Sequence, residues 1–322
     1  MKQVTLRQLR IFEAVARHMN FSRAADELHL SQPAVSTQVK ELAGYVGLPL
    51  LERIGRKTYL TPAGEEMLHC ARAITQRIKD AADAVAQLKG VTGGRLNVAV
   101  ISAGDYFFPR LLAIFEAEHP GITLNLTVHN RESLLRELTD NLTDLAIMVR
   151  PPNDREMLAL PFAPHPYVIV AAPTHPLAHA KRIPRAALNR EQFVQRERGS
   201  DTWNSMREVF GRQFARLTIK MQLRSTETIK QAVIAGMGIA FLSAHTIGLE
   251  LRAGMLTVLD VDGFPAMLNW YLVHHRSKRL PPVAQEFKAF MARRGARLIE
   301  QLVQIDIRPR LIGGARRRGP PP

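Results

Sequence analysis

Short uncharged polar side chains that recur on one side of a helix have the chemistry to read base edges, and one such set stands near the N-terminus. Gln32, Ser36 and Thr37 share a helical face, with Pro33 beside them and Lys40 one turn further on. A glutamine can bond adenine through two hydrogen bonds, a hydroxyl serves several bases, and proline methylenes offer a surface to a thymine methyl, whereas a lysine reaches phosphate. Arg53, with Arg56 or Lys57, forms a short basic turn suited to a minor groove or the backbone; the alternative is an exposed basic hairpin. These residues, Gln32, Pro33, Ser36, Thr37, Lys40, Arg53 and Arg56, are the candidate DNA contacts.

No comparable set supports catalysis. No nucleophile elbow, glycine-rich phosphate loop or metal-ligand cluster is visible, so no catalytic residue, metal or cofactor is assigned and the chain does not read as an enzyme. His274 and His275 lack acidic or cysteine partners at ligand spacing. The single cysteine, Cys70, cannot form an internal disulfide and reads as an inert thiol in a reducing compartment.

The elements that must position the DNA contacts follow from period and punctuation. Leu6, Leu9, Phe12, Val15 and Ala16 form one helical stripe. A second helix opens at Phe21 with Ser22 as its expected cap and Ala24, Ala25 and Leu28 inward; a third is capped by Ser31, with Pro33 in its first turn and Val35, Val39 and Leu42 inward. Leu50–Arg53 and Thr58–Leu60 flank a turn, giving a basic wing. Residues 1–61 are therefore expected to form a winged helix-turn-helix.

From Thr61-Pro62 a helix runs without Gly or Pro from Glu65 to Lys89, and the 27 residues from Pro62 to Leu88 would span roughly 40 Å. Met67, Ala71, Ile74, Ile78, Ala81, Val85 and Leu88 alternate spacings of 4 and 3, the seam of a coiled coil, so residues 62–90 are expected to form a dimerising linker helix. Packing on its own domain is the alternative.

After the glycines of 90–94 strands and helices alternate, which predicts an α/β effector domain over 91–291 with a largely parallel sheet. Its first lobe is placed at 91–163 with 266–291 and its second at 164–265, with Pro161, Pro164 and Pro166 interrupting between them. Ligands in such sheets sit beyond strand C-termini and at helix N-termini. That rule selects Ser102, Ala103, His129, Asn130, Arg150, Ser200, Thr202 and Thr226 as effector candidates, although Ser and Thr before helices are also ordinary caps.

The chain carries 44 Lys and Arg against 29 Asp and Glu, a net charge of +15 that favours a polyanionic or acidic-membrane partner. Residues 292–322 hold 8 basic and 2 acidic groups and read as a basic, partly disordered tail. The N-terminus Met1–Arg7 lacks a signal-peptide core and no segment is apolar enough to span a bilayer, so a cytoplasmic protein without a membrane partner is expected.

The segment Phe21-Ser22-Arg23-Ala24-Ala25-Asp26-Glu27-Leu28-His29-Leu30-Ser31-Gln32-Pro33-Ala34-Val35-Ser36-Thr37-Gln38-Val39-Lys40-Glu41-Leu42, with Gly47–Arg53 and Leu60–Gly64, strongly resembles the LysR-type regulator signature. The resemblance implies a homodimer or homotetramer on an interrupted palindrome of double-stranded DNA, and a periplasmic-binding-protein-like effector domain. Leu9–His18, Asp144–Met148, Glu227–Val233 and Gly236–Ser243 are similar to the Calvin-cycle (RuBisCO operon) regulators within that family. This subgroup implies activation of carbon-fixation genes and sensing of a phosphorylated metabolite or NADPH. Asp105 and Trp203 stand where the subgroup tends to carry lysine and arginine, which lowers the local positive charge. A LysR-type regulator of another operon is the alternative, and a solute-binding protein is the alternative from another class, since the sensor half alone has that architecture.

Overall fold

A computed structural model describes residues 3–55, 57–88 and 93–303, which fall into two compact units: Met1–Gly94 with Arg136–Thr143, and Arg95–Leu135 with Asp144–Pro322.

In the first unit three helices, α1 (Leu6–His18), α2 (Phe21–Leu28) and α3 (Gln32–Val46), precede the hairpin β1 (Leu51–Ile54) and β2 (Lys57–Leu60) and the long helix α4 (Pro62–Leu88). Each short helix is set by its ends. The Thr5 hydroxyl accepts from the Gln8 amide while Gln8 Oε1 accepts from the Thr5 amide, so two otherwise orphaned donors are satisfied reciprocally. Ser22 is not the cap of α2. Asn20 holds that position, its Oδ1 accepting from the Arg23 amide at 3.1 Å, because an extended residue two positions before Ser22 already presents a side-chain acceptor. Ser31 caps α3 through the Ala34 amide, and Pro33 lies in the first turn, where no N–H is needed. Left-handed residues, Met19, His29 and Gly47, stop the three helices in turn.

Leu9, Phe12, Val15, Val35, Val39 and Leu42 meet in one core, and Ala24 and Ala25 are small enough to bring α2 close. Helix α4 joins this core at its start. The Thr61 hydroxyl donates to the Pro49 carbonyl at 2.6 Å and accepts from the Gly64 amide at 3.0 Å. A Cβ at Gly64 would stand 1.9 Å from the Leu50 carbonyl oxygen, so only glycine lets the helix rest on the wing.

After α4, β3 (Gly94–Ile101), α5 (Phe108–Glu118), β4 (Ile122–His129), α6 (Arg131–Thr139, whose last residues from Arg136 belong to the first unit) and β5 (Leu145–Met148) alternate as expected. The long strand β6 (Met157–Ala171) follows, then β7 (Gln192–Arg196), α7 (Asp201–Phe210), β8 (Thr218–Leu223), α8 (Thr226–Ile234), β9 (Ala240–Ser243), α9 (Gly248–Arg252), β10 (Thr257–Val258), β11 (Ala266–His275) and α10 (Pro282–Val303). The sheet order is β10-β6-β11-β5-β3-β4, with β9 also on β6, and β7 pairs with β8.

The sheet is more mixed than expected. β3 with β5 and β7 with β8 are parallel, but β11 runs antiparallel to β5 and β6, as does β9 to β6. Nor do the prolines interrupt it. Pro161, Pro164 and Pro166 sit inside β6 opposite Tyr271, Asn269 and Met267, every second residue of β11, and a register shift between Trp270 and Tyr271 keeps them in phase. All three missing N–H groups thus fall on alternate rungs, where the ladder can do without them. β6 and β11 are therefore continuous through the points where the chain passes from one lobe to the other. The second lobe has its own core of Val168, Val194, Ile229, Val233, Leu242 and Ile247, while Phe108, Phe115, Phe287 and Phe290 pack in the first. Helix α10 continues past position 291 to Val303 with Leu298 and Ile299 buried, so this stretch is helix rather than tail; residues 304–322 lie outside the described residues.

Candidate DNA-reading surface and effector cleft

On α3 the buried residues Val35, Val39 and Leu42 orient the helix, and the opposite face is open. Gln32, Pro33, Thr37 and Lys40 are exposed and Ser36 is half-buried, so the five candidates form one outward surface that begins at the helix N-terminus. Partial positive charge at that end favours a nearby phosphate. Farther along, Glu41 accepts from Gln38 Nε2 at 3.0 Å and from Gln8 Nε2 at 3.2 Å, which ties α3 to α1 behind the reading face. Arg53 is exposed on β1; Arg56 lies outside the described residues.

The seam positions on α4 separate into groups. Met67 and Ala71 are buried in the core of their own unit, which removes them from a seam that must be presented to a partner. The heptad phase could not reveal this, because the same stripe serves both packings. Ile74 and Ile78 are each 37% exposed and Ala81 is exposed, so the apolar stripe becomes available from Ile74 onward. Val85 and Leu88 fall in the helix, with their side chains outside the described residues. Cys70 is exposed on α4.

In the second unit Ser102, Ala103, His129, Asn130, Ser200 and Thr202 line one cleft, together with Arg131, Arg196 and Asp201. Its free volume is about 10 Å³, room for a water molecule at most, so the lobes are closed on one another. Arg196, at the C-terminal end of β7, is 4% exposed and makes the closure. Its Nη1 donates to Ser102 Oγ of the first lobe at 2.9 Å and to Thr226 Oγ1 of the second at 3.2 Å, while Glu197 accepts from Nε and Nη2 at 2.8 and 3.0 Å. A second link crosses beside it. Arg131 Nη1 lies 3.1 Å from Asp201 Oδ1, and the Val149 amide donates to Asp201 Oδ2 at 3.4 Å. Burial pushes the Asp201 carboxyl above its ordinary range, against the opposing pull of Arg131 and Arg150.

Two candidates stand elsewhere. Arg150 turns away from the cleft to pair with Glu208, and Thr226 is buried beneath it as the acceptor for Arg196. Ser200 lines the cleft and also caps α7, accepting from the Trp203 amide at 3.1 Å. Sequence reasoning missed Arg131 and Arg196. Both occupy places that its own rule selects, the first residue of α6 and the last of β7, and both carry guanidinium groups suited to anions.

A winged helix-turn-helix joined in one chain to a two-lobed α/β domain with a polar interlobe cleft defines a ligand-responsive DNA-binding regulator. The bacterial regulatory helix-turn-helix protein, lysR family, matches residues 6–65, and the LysR substrate binding domain matches residues 89–296. The chain belongs to the LysR family of bacterial transcriptional regulators. It is 48% identical over 295 residues to the RuBisCO operon transcriptional regulator of Allochromatium vinosum, covering 92% of this chain and 98% of that one. The regulatory domain of Synechocystis PCC6803 CcmR, solved in complex with 2-PG, is 39% identical over 62% of this chain and 96% of its own, with a TM-score of 0.59. Full-length CbnR, solved with its target DNA, shares the fold at a TM-score of 0.67 and 23% identity, over 91% of this chain and 100% of its own.

Proposed function

We propose that this LysR-family chain regulates carbon-fixation genes, reading an interrupted palindrome as a homodimer or homotetramer and responding to a small anionic metabolite in the interlobe cleft. The likeness to the RuBisCO operon regulator, which extends over nearly the full length of both chains, carries this reading. The outward face of α3, made of Gln32, Pro33, Ser36, Thr37 and Lys40, would enter the major groove, with Arg53 and Arg56 of the wing beside it. Ile74, Ile78, Ala81, Val85 and Leu88 would supply the pairing stripe, and the domains would divide at residues 61 and 90, with the effector domain carried through α10 to Val303. The cleft would take the ligand among Ser102, Ala103, His129, Asn130, Ser200 and Thr202, with Thr226 behind Arg196 and Arg150 at one side. A regulator of this kind acts in the cytoplasm and turns over no substrate. Among the described residues no helix is long and apolar enough to cross a membrane.

Selection of bound fragments from the host genome tests the target. Enrichment of palindromes upstream of carbon-fixation genes is expected, and enrichment confined to unrelated operons would overturn the assignment. On a selected site, Ser36→Ala or Gln32→Ala should relax base preference by about 1 to 3 kcal/mol, whereas Lys40→Ala should weaken cognate and scrambled duplexes alike. Equal losses on both duplexes from all three would reject this division of roles.

A further inference from the structure

The cleft floor is not where this domain keeps its spare positive charge. On the floor Arg196 is held by Glu197 on two nitrogens, and Arg131 is matched by Asp201. Beside it, sharing Arg131, lies a separate open pocket of about 710 Å³. Arg131 and Arg150 line it from the first lobe and Arg207 and Arg212 from the second, with Glu208 and Asn204 among them. Arg150 is paired with Glu208. Arg207, on α7, and Arg212, in the turn that follows, are exposed, and among the described residues neither has a carboxylate within ion-pair distance.

Four guanidinium groups thus converge on one concavity while the two nearby carboxylates answer only two of them. Crowded like charges raise the energy of an empty pocket, and a doubly charged anion removes that cost. A phosphoryl group carries nearly two negative charges at neutral pH, and its oxygens fit the arginine fork in pairs. The volume is ample for a small metabolite.

We propose that this rim pocket is a seat for a phosphoryl dianion, with Arg207 and Arg212 as its ligands. The proposal narrows the effector class to phosphate esters and rests on the reading that the cleft senses an anionic metabolite. Arg131 and Arg150 approach from one lobe and Arg207 and Arg212 from the other, so an anion held there bonds both lobes and favours the closed arrangement.

The test titrates the full-length protein with inorganic phosphate at constant ionic strength, by calorimetry, for three proteins: wild type, Arg207→Gln with Arg212→Gln, and Lys220→Gln with Arg224→Gln. The last pair is exposed, lies outside the pocket and removes the same charge. Wild type and the control pair should bind alike, and the rim pair should bind about tenfold or more weakly, because two charge-assisted contacts are lost. Equal weakening of both variants would show a general charge effect and overturn the seat, as would undiminished binding by the rim pair or no binding by wild type at millimolar phosphate. The two readings can fail separately. Phosphate binding lost with the rim pair, in a protein whose genomic sites lie outside carbon-fixation operons, removes only the target assignment.

Discussion

The link from Arg196 to Ser102 can be isolated by a double-mutant cycle, because Ser102 has only one bond to Arg196 while Arg196 keeps others. Ser102→Ala removes the 2.9 Å bond across the lobes and leaves Arg196 held by Glu197 and Thr226. A hydrogen bond to a charged donor contributes about 1.5 to 3 kcal/mol at most, and Ser102 is half-exposed, so water recovers part of it and a loss of about 1 kcal/mol is expected. Arg196→Gln removes all four bonds and leaves Glu197, whose side chain is 21% exposed, without its counter-charge. The cost of breaking a buried pair is about 3 to 5 kcal/mol, and the partial exposure of Glu197 places this case at about 3. Once Arg196 is gone, Ser102→Ala should cost almost nothing more, a coupling of about 1 kcal/mol. Urea unfolding followed by tryptophan fluorescence reads this unit selectively, since the only two tryptophans of the chain, Trp203 and Trp270, are both buried within it. If the double variant loses the sum of the single losses to within about 0.4 kcal/mol, the bond across the cleft does not contribute to closure and the reasoning is refuted.

Gly64→Ala should unfold the winged helix, because the added methyl meets the Leu50 backbone at 1.9 Å and the gain of about 1 kcal/mol in helix propensity cannot offset that clash. Loss of DNA binding with unchanged tryptophan fluorescence is the expected pair of results, and retained binding would refute it. Ile74→Asp with Ile78→Asp should dissociate the assembly in sedimentation while the isolated fold persists, whereas an unchanged molecular mass would move the pairing surface elsewhere. Burial lowers the His245 imidazole from 6.5 to about 4, so the unfolded chain takes up this proton first. Stability from this group is therefore complete above pH 6.5 and is lost as pH falls toward 4, by about 3 kcal/mol in all. His245→Gln, which keeps an acceptor for the Trp270 indole N–H, should flatten that part of the stability curve, and an unchanged slope would refute the assignment.

The local elements were legible because their signals are local. Pro33 after Ser31, Pro62 after Thr61 and the apolar stripes of α1 and α3 state a helix and its start within a few residues. Failures arose where two neighbouring residues compete for one role or where a rule has a tertiary exemption. Asn20 and Ser22 are both good caps, and backbone geometry chooses the earlier one. The three prolines read as breaks, yet β6 holds them because the rungs they occupy need no donor. For the cleft, the strand-end rule found the right neighbourhood and overlooked Arg131 and Arg196, since chain position alone does not say which side chain bends inward.

What the residues determine by themselves is the period and ends of each helix, the polar outer face of α3 and the family, all properties of neighbours along the chain. The folded arrangement decided the rest. It consumed Met67 and Ala71 in a core, turned Arg150 outward to Glu208, and set Arg196 across the cleft to Ser102, 94 positions away. Such choices depend on which surfaces compete for burial and which charges find partners, and those energies exist only once distant segments meet.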